Sequence, residues 1–231
     1  MLHIENITLQ YGGRILAEGI DFTLAPGECI LLAGANGTGK TTLLHLLAGW
    51  GRRNPRFPAT LPLPAKTLLV PTGVPKVEGF TVEAFVRTSC YRESNWAGRL
   101  SKDGEERITE ALELLGIRKL SGRDISTLSD GEFQKACIAV GLVRQADVLL
   151  LDEPTAFLDV ENRITVLQTL HDLARKTGIT ILFSSHDLSD ALLAADRVFV
   201  LTHDGRFLVS GTDDASKRDV LRCAFGKISY L

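Results

Sequence analysis

Two short stretches of this sequence carry residue types that bind and attack a chain of phosphates. The first is GANGTGKT at residues 34–41, which has the spacing of a glycine-rich phosphate loop. Its glycines let backbone N–H groups surround a β-phosphate, Lys40 offers a positive charge to the β/γ oxygens, and the Thr41 hydroxyl can ligate Mg²⁺. The segment therefore predicts a site for a nucleoside triphosphate with Mg²⁺.

The second stretch is a pair of carboxylates that follows the apolar run Val148–Leu151. Such a run is typical of a strand buried on both faces, so Asp152 and Glu153 would lie at its end. There Asp152 can hold Mg²⁺ and Glu153 can polarise an attacking water, a contribution typically worth about 10² to 10⁴ in rate. The pair could also be a strand end that meets solvent, but the phosphate loop favours the catalytic interpretation.

The composition argues against several classes of protein. The chain has 231 residues, of which 45% are hydrophobic, so it suits one large domain with a sizeable core. Its longest apolar runs are about five residues, far below the roughly 20 that cross a bilayer. A net charge of −2 gives no basic field for nucleic acid. Four scattered cysteines without a C-x-x-C pair argue against a zinc site or a disulfide scaffold and fit a reducing cytosol.

The predicted elements give the phosphate loop the surroundings it requires. Cys29–Ala33 reads as an apolar strand that runs into the loop, and Lys40–Ala48 has helical spacing and stops at Gly49. Six of the eight prolines fall between Pro55 and Pro75, which predicts an irregular surface connection.

The rest of the chain alternates between strands and helices, which predicts an α/β fold with a mostly parallel sheet interrupted by a mostly helical insertion. The further predicted elements are strands over Leu2–Tyr11, Ile20–Leu24 and Ile179–Phe183, helices over Glu105–Leu115, Ser129–Val143 and Asn162–Lys176, a helix after the strand Ile179–Phe183, and a hairpin near Asp204-Gly205.

A third motif lies between the two phosphate-directed stretches. The segment LSDGE at residues 128–132 resembles the signature of ABC-type ATPases, and its form with aspartate is similar to that of iron-siderophore, haem and cobalamin import ATPases. The resemblance covers essentially the whole chain. It implies a single ABC ATP-binding domain over residues 1–231, with a phosphate-loop core, an N-terminal antiparallel β-subdomain and a helical subdomain inserted at about residues 76–145.

Ser129 has two compatible interpretations. Ser129 and Glu132 have the spacing of a capping box that starts a helix. The resemblance adds that the signature serine and glycine contact the γ-phosphate of ATP held by the opposite subunit.

The resemblance also assigns roles to other positions. Tyr11 would stack on adenine, residues 154–159 would link the two sites across a dimer, and His186 would contact the γ-phosphate. Together, the motif and the resemblance predict Glu153, His186 and Lys40 as catalytic residues, Thr41 and Asp152 as ligands of Mg²⁺, and the following nucleotide contacts: Tyr11, Gly34, Asn36, Gly37, Thr38, Gly39, Lys40, Thr41, Thr42, Ser129, Gly131, Glu132 and Asp159.

The sequence departs from the family pattern most clearly at Thr72. The family has a glutamine here that touches Mg²⁺ and the water and senses the membrane partner. A threonine still offers an oxygen, but its side chain is two bonds too short for the same reach. We expect ATP binding to survive this change and hydrolysis by the isolated chain to be slow.

The favoured function is therefore the ATP-hydrolysing subunit of an ABC transporter, acting as a homodimer or paired ABC subunit on the cytoplasmic face of the cell membrane. It would drive separate transmembrane permease subunits that import iron-siderophore, haem or cobalamin-like cargo. The alternatives are a soluble ABC ATPase outside transport, of the iron–sulfur assembly type, and an ATP-gated regulatory module with weak hydrolysis, which Thr72 would suit.

Overall fold

The computed structural model describes residues 1–50, 66–93 and 100–225. The chain begins with an antiparallel pair of strands, β1 (Leu2–Tyr11) and β2 (Arg14–Leu24). The sequence predicted a second strand only from Ile20 onward, but β2 begins six residues earlier. Gly12 and Gly13 both have positive φ, and their turn folds the chain back so that Tyr11 pairs with Arg14.

A six-stranded sheet forms the centre of the molecule. The strand order is β4-β5-β6-β3-β7-β8, and every neighbouring pair is parallel except the last. The predicted α/β class with a mostly parallel sheet is confirmed. The bounds of the strands are β3 (Cys29–Gly34), β4 (Thr67–Val70), β5 (Val148–Leu151), β6 (Thr180–Ser184), β7 (Arg197–Leu201) and β8 (Phe207–Val209).

Seven α-helices accompany the sheet in the described part of the chain. Their starts follow the capping residues: the side chains of Thr81, Ser101, Ser129 and Asp159 each accept a backbone N–H of the helix that they precede. The helices are α1 (Lys40–Leu47), α2 (Val82–Arg87), α3 (Lys102–Leu114), α4 (Asp130–Val143), α5 (Val160–Thr177), α6 (Leu188–Ala194) and α7 (Asp214–Phe225).

Alternate residues of β3 enter two different hydrophobic clusters, because successive side chains of a strand point to opposite faces. Ile30 and Leu32 pack with α1 and the β1–β2 pair on one side. Leu31 and Ala33 pack with residues of α4 and α5 on the other side. The sheet is thus covered on both faces, and all residues of β3 and β5 are buried.

The helices between β4 and β5 pack on one another. The rings of Phe85 in α2 and Phe133 in α4 lie 5.6 Å apart, and Arg87 of α2 forms an ion pair with Glu105 of α3. Among the helices that the structure describes, none qualifies as a membrane-spanning segment.

Two elements were missed at the sequence level. Thr67–Val70 lies inside the stretch predicted to be irregular, yet it forms β4 and pairs in parallel with β5. Its four residues between prolines are too few to show a periodic pattern, and the partner strand is 78 or more residues away. The earlier part of that stretch, up to residue 65, lies outside the described residues. Helix α7 was also missed, although Leu221 is buried in the main core.

Candidate nucleotide-binding site

The predicted phosphate loop connects the end of β3 to the start of α1. Gly37 and Gly39 have φ values of +81° and +106°, which only glycine adopts without strain. A Cβ on Gly39 would also lie 3.0 Å from side-chain carbons of both Leu9 and Leu16. The loop conformation therefore requires glycine at these positions, and the N–H groups at the start of α1 face the loop as in other anion sites.

The remaining loop residues occupy two environments. Gly34 is packed so closely that a Cβ would lie 2.7 Å from both the Leu201 carbonyl oxygen and Thr38 Oγ1. The Thr38 hydroxyl donates to the Ala35 carbonyl at 3.0 Å. Asn36 is exposed at the tip of the loop, and Thr42 is half-buried in the first turn of α1.

Lys40 lies under this loop rather than in solvent. Only 7% of the residue is exposed, and its Nζ donates to the carbonyl oxygens of Gly34 at 2.7 Å and of Ala35 at 3.3 Å. Burial lowers the pKa of Lys40, although the carboxylates of Glu153 and Asp152 act in the opposite direction. The Lys40 ammonium group is thus held against the loop near the carboxylates of Asp152 and Glu153, where it would interact with a bound phosphate.

Asp152 follows β5 and joins the phosphate loop to the central strands. Its Oδ2 accepts a hydrogen bond from Thr41 Oγ1 at 2.9 Å, and its Oδ1 accepts one from Ser184 Oγ at 2.8 Å. The structure thus brings together the two residues predicted to ligate Mg²⁺. A hydroxyl and a carboxylate fit this ion, which prefers oxygen ligands and is usually held by one or two carboxylates together with water and substrate phosphates.

Glu153 has an unusual backbone conformation beside the predicted switch histidine. Its φ is +47°, a left-handed value that costs a residue with a side chain on the order of 1–3 kcal/mol. Its Oε1 lies 3.2 Å from Nδ1 of His186, which is more exposed than the glutamate. The turn therefore directs the carboxylate toward His186. Two of the predicted catalytic residues, Glu153 and His186, are thus in contact.

Thr72 and Ser184 complete the surroundings of the acidic pair. Thr72 Oγ1 donates to the carbonyl oxygen of Asp152 at 2.7 Å, and the backbone N–H of Glu153 donates to Ser184 Oγ at 2.8 Å. Ser184 was not predicted as a site residue from the sequence. The available signal was a hydroxyl at the end of an apolar strand that precedes His186 by two residues.

The signature segment starts α4 as a complete capping box. Ser129 Oγ accepts from the Glu132 N–H at 3.2 Å, and Glu132 Oε2 accepts from the Ser129 N–H at 2.9 Å. A Cβ on Gly131 would lie 3.0 Å from Oδ1 of Asn162, whose own N–H and amide group donate to Asp159. The start of α4 and the predicted linking segment are therefore packed together.

Tyr11 lies at the end of β1, where 46% of the residue is exposed. The nearby strand β2 lines a cavity of about 270 Å³ that also reaches the phosphate loop. Its walls are residues 14–18, Gly37, Thr38 and residues 202–205. Open space therefore adjoins the loop on the side of the β1–β2 pair.

Comparison with known proteins agrees with this geometry. The family model described as "ABC transporter" matches residues 17–54 and 71–156. The "Probable siderophore transport system ATP-binding protein YusV" of Bacillus subtilis (strain 168) is 32% identical over 230 residues, which cover 95% of this chain and 82% of the relative. The "Aliphatic sulfonates import ATP-binding protein SsuB 2" of Pseudomonas syringae pv. syringae (strain B728a) is 36% identical over 205 residues, covering 89% and 70%.

The fold has a similar counterpart among solved structures. The structure described as "An inward-facing conformation of a putative metal-chelate type ABC transporter" superposes with a TM-score of 0.83 at 25% identity. The match covers 96% of this chain and 88% of the other. The family expected from the LSDGE segment is confirmed: the chain belongs to the ATP-binding proteins of the ABC transporter family.

Proposed function

We propose that this chain hydrolyses ATP bound with Mg²⁺ and thereby powers a membrane importer. The observation that carries the proposal is the convergence on one acidic pair: Thr41 donates to Asp152 at 2.9 Å, and Glu153 lies 3.2 Å from His186. The groups proposed to bind phosphate, to bind Mg²⁺ and to accept a proton thus lie next to one another at the phosphate loop.

Each group of residues in the site would have a separate role in phosphoryl transfer. Loop N–H groups and the start of α1 bind the phosphates, and Lys40 moves from the Gly34 and Ala35 carbonyls to phosphate oxygens. Thr41 and Asp152 would hold Mg²⁺, which neutralises charge on the β- and γ-phosphates when bound. Glu153 accepts a proton from the attacking water, and His186 holds the carboxylate and faces the γ-phosphate.

Tyr11 and the signature segment would complete nucleotide recognition. Tyr11, of which 46% is exposed, would stack on adenine next to the cavity bounded by β2 and the loop. The N-terminus of α4 would offer an anion site at Ser129 and Gly131, since helix N-termini carry positive potential, and Glu132 would hold Ser129 in place through the capping box.

Two copies would bind two ATP molecules between them, each between the loop of one copy and the signature of the other. Two exposed apolar residues support this arrangement: 84% of Phe157 in the linking segment and 62% of Val160, the first residue of α5, are exposed. The test mixes Lys40→Ala chains with Ser129→Arg chains. Heterodimers are expected to recover part of the ATPase activity, because one composite site remains intact. Heterodimers that form but recover no activity would contradict a shared site.

The partners would be separate permease subunits, which place the chain at the cytoplasmic face of the cell membrane. Helices α2–α4 would act as the inserted helical subdomain that receives them. A metal chelate such as an iron-siderophore, haem or cobalamin is the cargo class we favour. Its support is the LSDGE form, the siderophore relative and the metal-chelate transporter; the sulfonate relative has a different cargo.

The direct test is phosphate release from MgATP by the purified chain. We expect slow turnover that disappears in EDTA and in Lys40→Ala. The matched control is Lys102→Ala, because 92% of the Lys102 side chain is exposed and its ion pair with Glu106 lies outside the site. Wild-type nucleotide affinity in Lys40→Ala would contradict the assignment of the phosphate loop.

A further inference from the structure

The peptide group that joins Asp152 to Glu153 is held at both of its polar atoms. Its carbonyl oxygen accepts from Thr72 Oγ1 at 2.7 Å, and its N–H donates to Ser184 Oγ at 2.8 Å. The two hydroxyls come from opposite directions along the sheet, because Thr72 follows β4 and Ser184 ends β6 while β5 lies between them. The orientation of this peptide plane is therefore fixed by two side chains outside the phosphate loop.

Ser184 has no freedom to turn away from this contact. Its residue is fully buried, and its hydroxyl hydrogen is donated to Asp152 Oδ1 at 2.8 Å while the oxygen accepts from Glu153. Loss of this hydroxyl would leave a buried backbone N–H without its partner, which is more costly than loss of an exposed hydrogen bond.

The backbone conformation of Glu153 requires hydrogen bonds of this kind to stabilise it. A left-handed φ of +47° persists in a residue with a side chain only where the surrounding structure imposes it. The simplest relaxation is a rotation of the 152–153 peptide. That rotation would turn the Glu153 carboxylate away from His186, which now lies 3.2 Å away.

We propose that Thr72 and Ser184 are positioning residues that clamp the 152–153 peptide and so aim Glu153 at the attacking water. The proposal rests on the ATPase function given above. The Thr72 hydroxyl donates its hydrogen bond to the backbone carbonyl of Asp152. It therefore acts through Asp152 and Glu153 rather than on the nucleotide. A short side chain suits this role, because the hydroxyl must stop at the carbonyl oxygen.

The test is steady-state ATP hydrolysis by the full chain with substitutions at Thr72 and Ser184. Thr72→Val keeps the shape but removes the hydroxyl, and kcat should fall about 5- to 10-fold, the factor expected for one lost hydrogen bond. KM and the equilibrium affinity for MgATP should stay within about twofold of wild type, because the substitution leaves the contacts that bind the nucleotide unchanged. Thr72→Ser, which restores the hydroxyl, should restore kcat.

The matched control is Thr169→Val on α5, where the Thr169 hydroxyl also donates to a backbone carbonyl at 2.7 Å. It should leave kcat unchanged. Ser184→Ala should lower kcat at least about tenfold, and the double variant Thr72→Val/Ser184→Ala should lose less than the product of the single effects, because both act on one peptide. If Ser184→Ala does not fold, the Thr72 series decides alone.

The outcomes separate this proposal from the broader function. Wild-type hydrolysis with an unchanged kcat in Thr72→Val overturns the clamp and leaves the ATPase in place. A raised KM with unchanged kcat, or a faster enzyme in Thr72→Gln, would mean that the position acts directly on the nucleotide and would also overturn it. Binding of MgATP without any hydrolysis by wild type overturns the proposed function and the clamp together.

Discussion

Lys76 spans from the segment that contains Thr72 to the signature at the start of α4. Its Nζ donates to Asp130 Oδ1 at 2.7 Å and to the Leu128 carbonyl at 2.8 Å, and it lies 5.7 Å from the centre of the Phe133 ring. Asp130 is the aspartate of the LSDGE segment. The aspartate therefore joins the signature segment to the segment that contains Thr72.

This ion pair should contribute little to stability. The Lys76 and Asp130 side chains are 25% and 60% exposed, and pairs of this kind are typically worth about 0.2–1 kcal/mol. A double-mutant cycle of Lys76→Met and Asp130→Asn in urea unfolding should give a coupling energy in that range, smaller in about 1 M salt. A coupling above about 2 kcal/mol, beyond the range for exposed pairs, would show that the pair is far better desolvated than the structure indicates.

The contact between α2 and α3 should weaken in acid. Arg87 Nη2 donates to Glu105 Oε2 at 2.7 Å, and this hydrogen bond holds the pKa of Glu105 below its ordinary value. A lowered folded-state pKa gives stability that is complete above the unfolded pKa of about 4.3 and is lost as pH falls through the folded-state value.

Arg87→Met tests this pH dependence by unfolding at several pH values. The variant should be less stable than wild type near pH 7, by no more than about 1 kcal/mol for a partly exposed pair, and the difference should shrink below about pH 4. Glu83 also pairs with Arg87 and contributes to the loss. Lys102→Met is the control, and a difference that stays constant from pH 7 to acid would contradict the role of Glu105.

The capping role of Ser129 and its proposed contact with phosphate can be separated by substitution. Ser129→Ala should destabilise the chain by about 1 kcal/mol, because the Glu132 N–H loses its cap, whereas Ser129→Asp retains a good cap. If Ser129 also contacts the γ-phosphate across a dimer, Ser129→Asp should nevertheless lose ATPase activity, since a carboxylate repels phosphate. Thermal unfolding and phosphate release measure the two effects, and full activity in Ser129→Asp would leave only the capping role.

The motifs were predictable because each carries its geometry locally. A strand, a glycine loop and a helix in sequence place Lys40 and Thr41, and the apolar run before Asp152 places that carboxylate at a strand end. The contacts of Thr72 and Ser184 with the 152–153 peptide were not predictable in the same way. They depend on the lateral order of β4, β5 and β6, which join residues separated by about 30 to 80 positions in the chain, and no local pattern encodes that order.

The predicted bounds of helices and strands were wrong where capping residues or strand pairing, rather than hydrophobic periodicity, determine the element. Helix α5 begins at Val160 because Asp159 caps it, two residues before the apolar pattern predicted. Strand β4 has only four residues, and its identity comes from its pairing with β5.

Glu153→Gln is the decisive variant for the proposed role of Glu153, which is to accept the proton of the water that attacks ATP. The amide keeps the size of the side chain but cannot accept that proton. MgATP affinity should therefore remain near wild type while single-turnover phosphate release falls at least about 100-fold, the lower end for general-base catalysis. Glu113→Gln, an exposed glutamate of α3, should behave as wild type. Phosphate release in Glu153→Gln above about a tenth of the wild-type rate would contradict the account and point to another base.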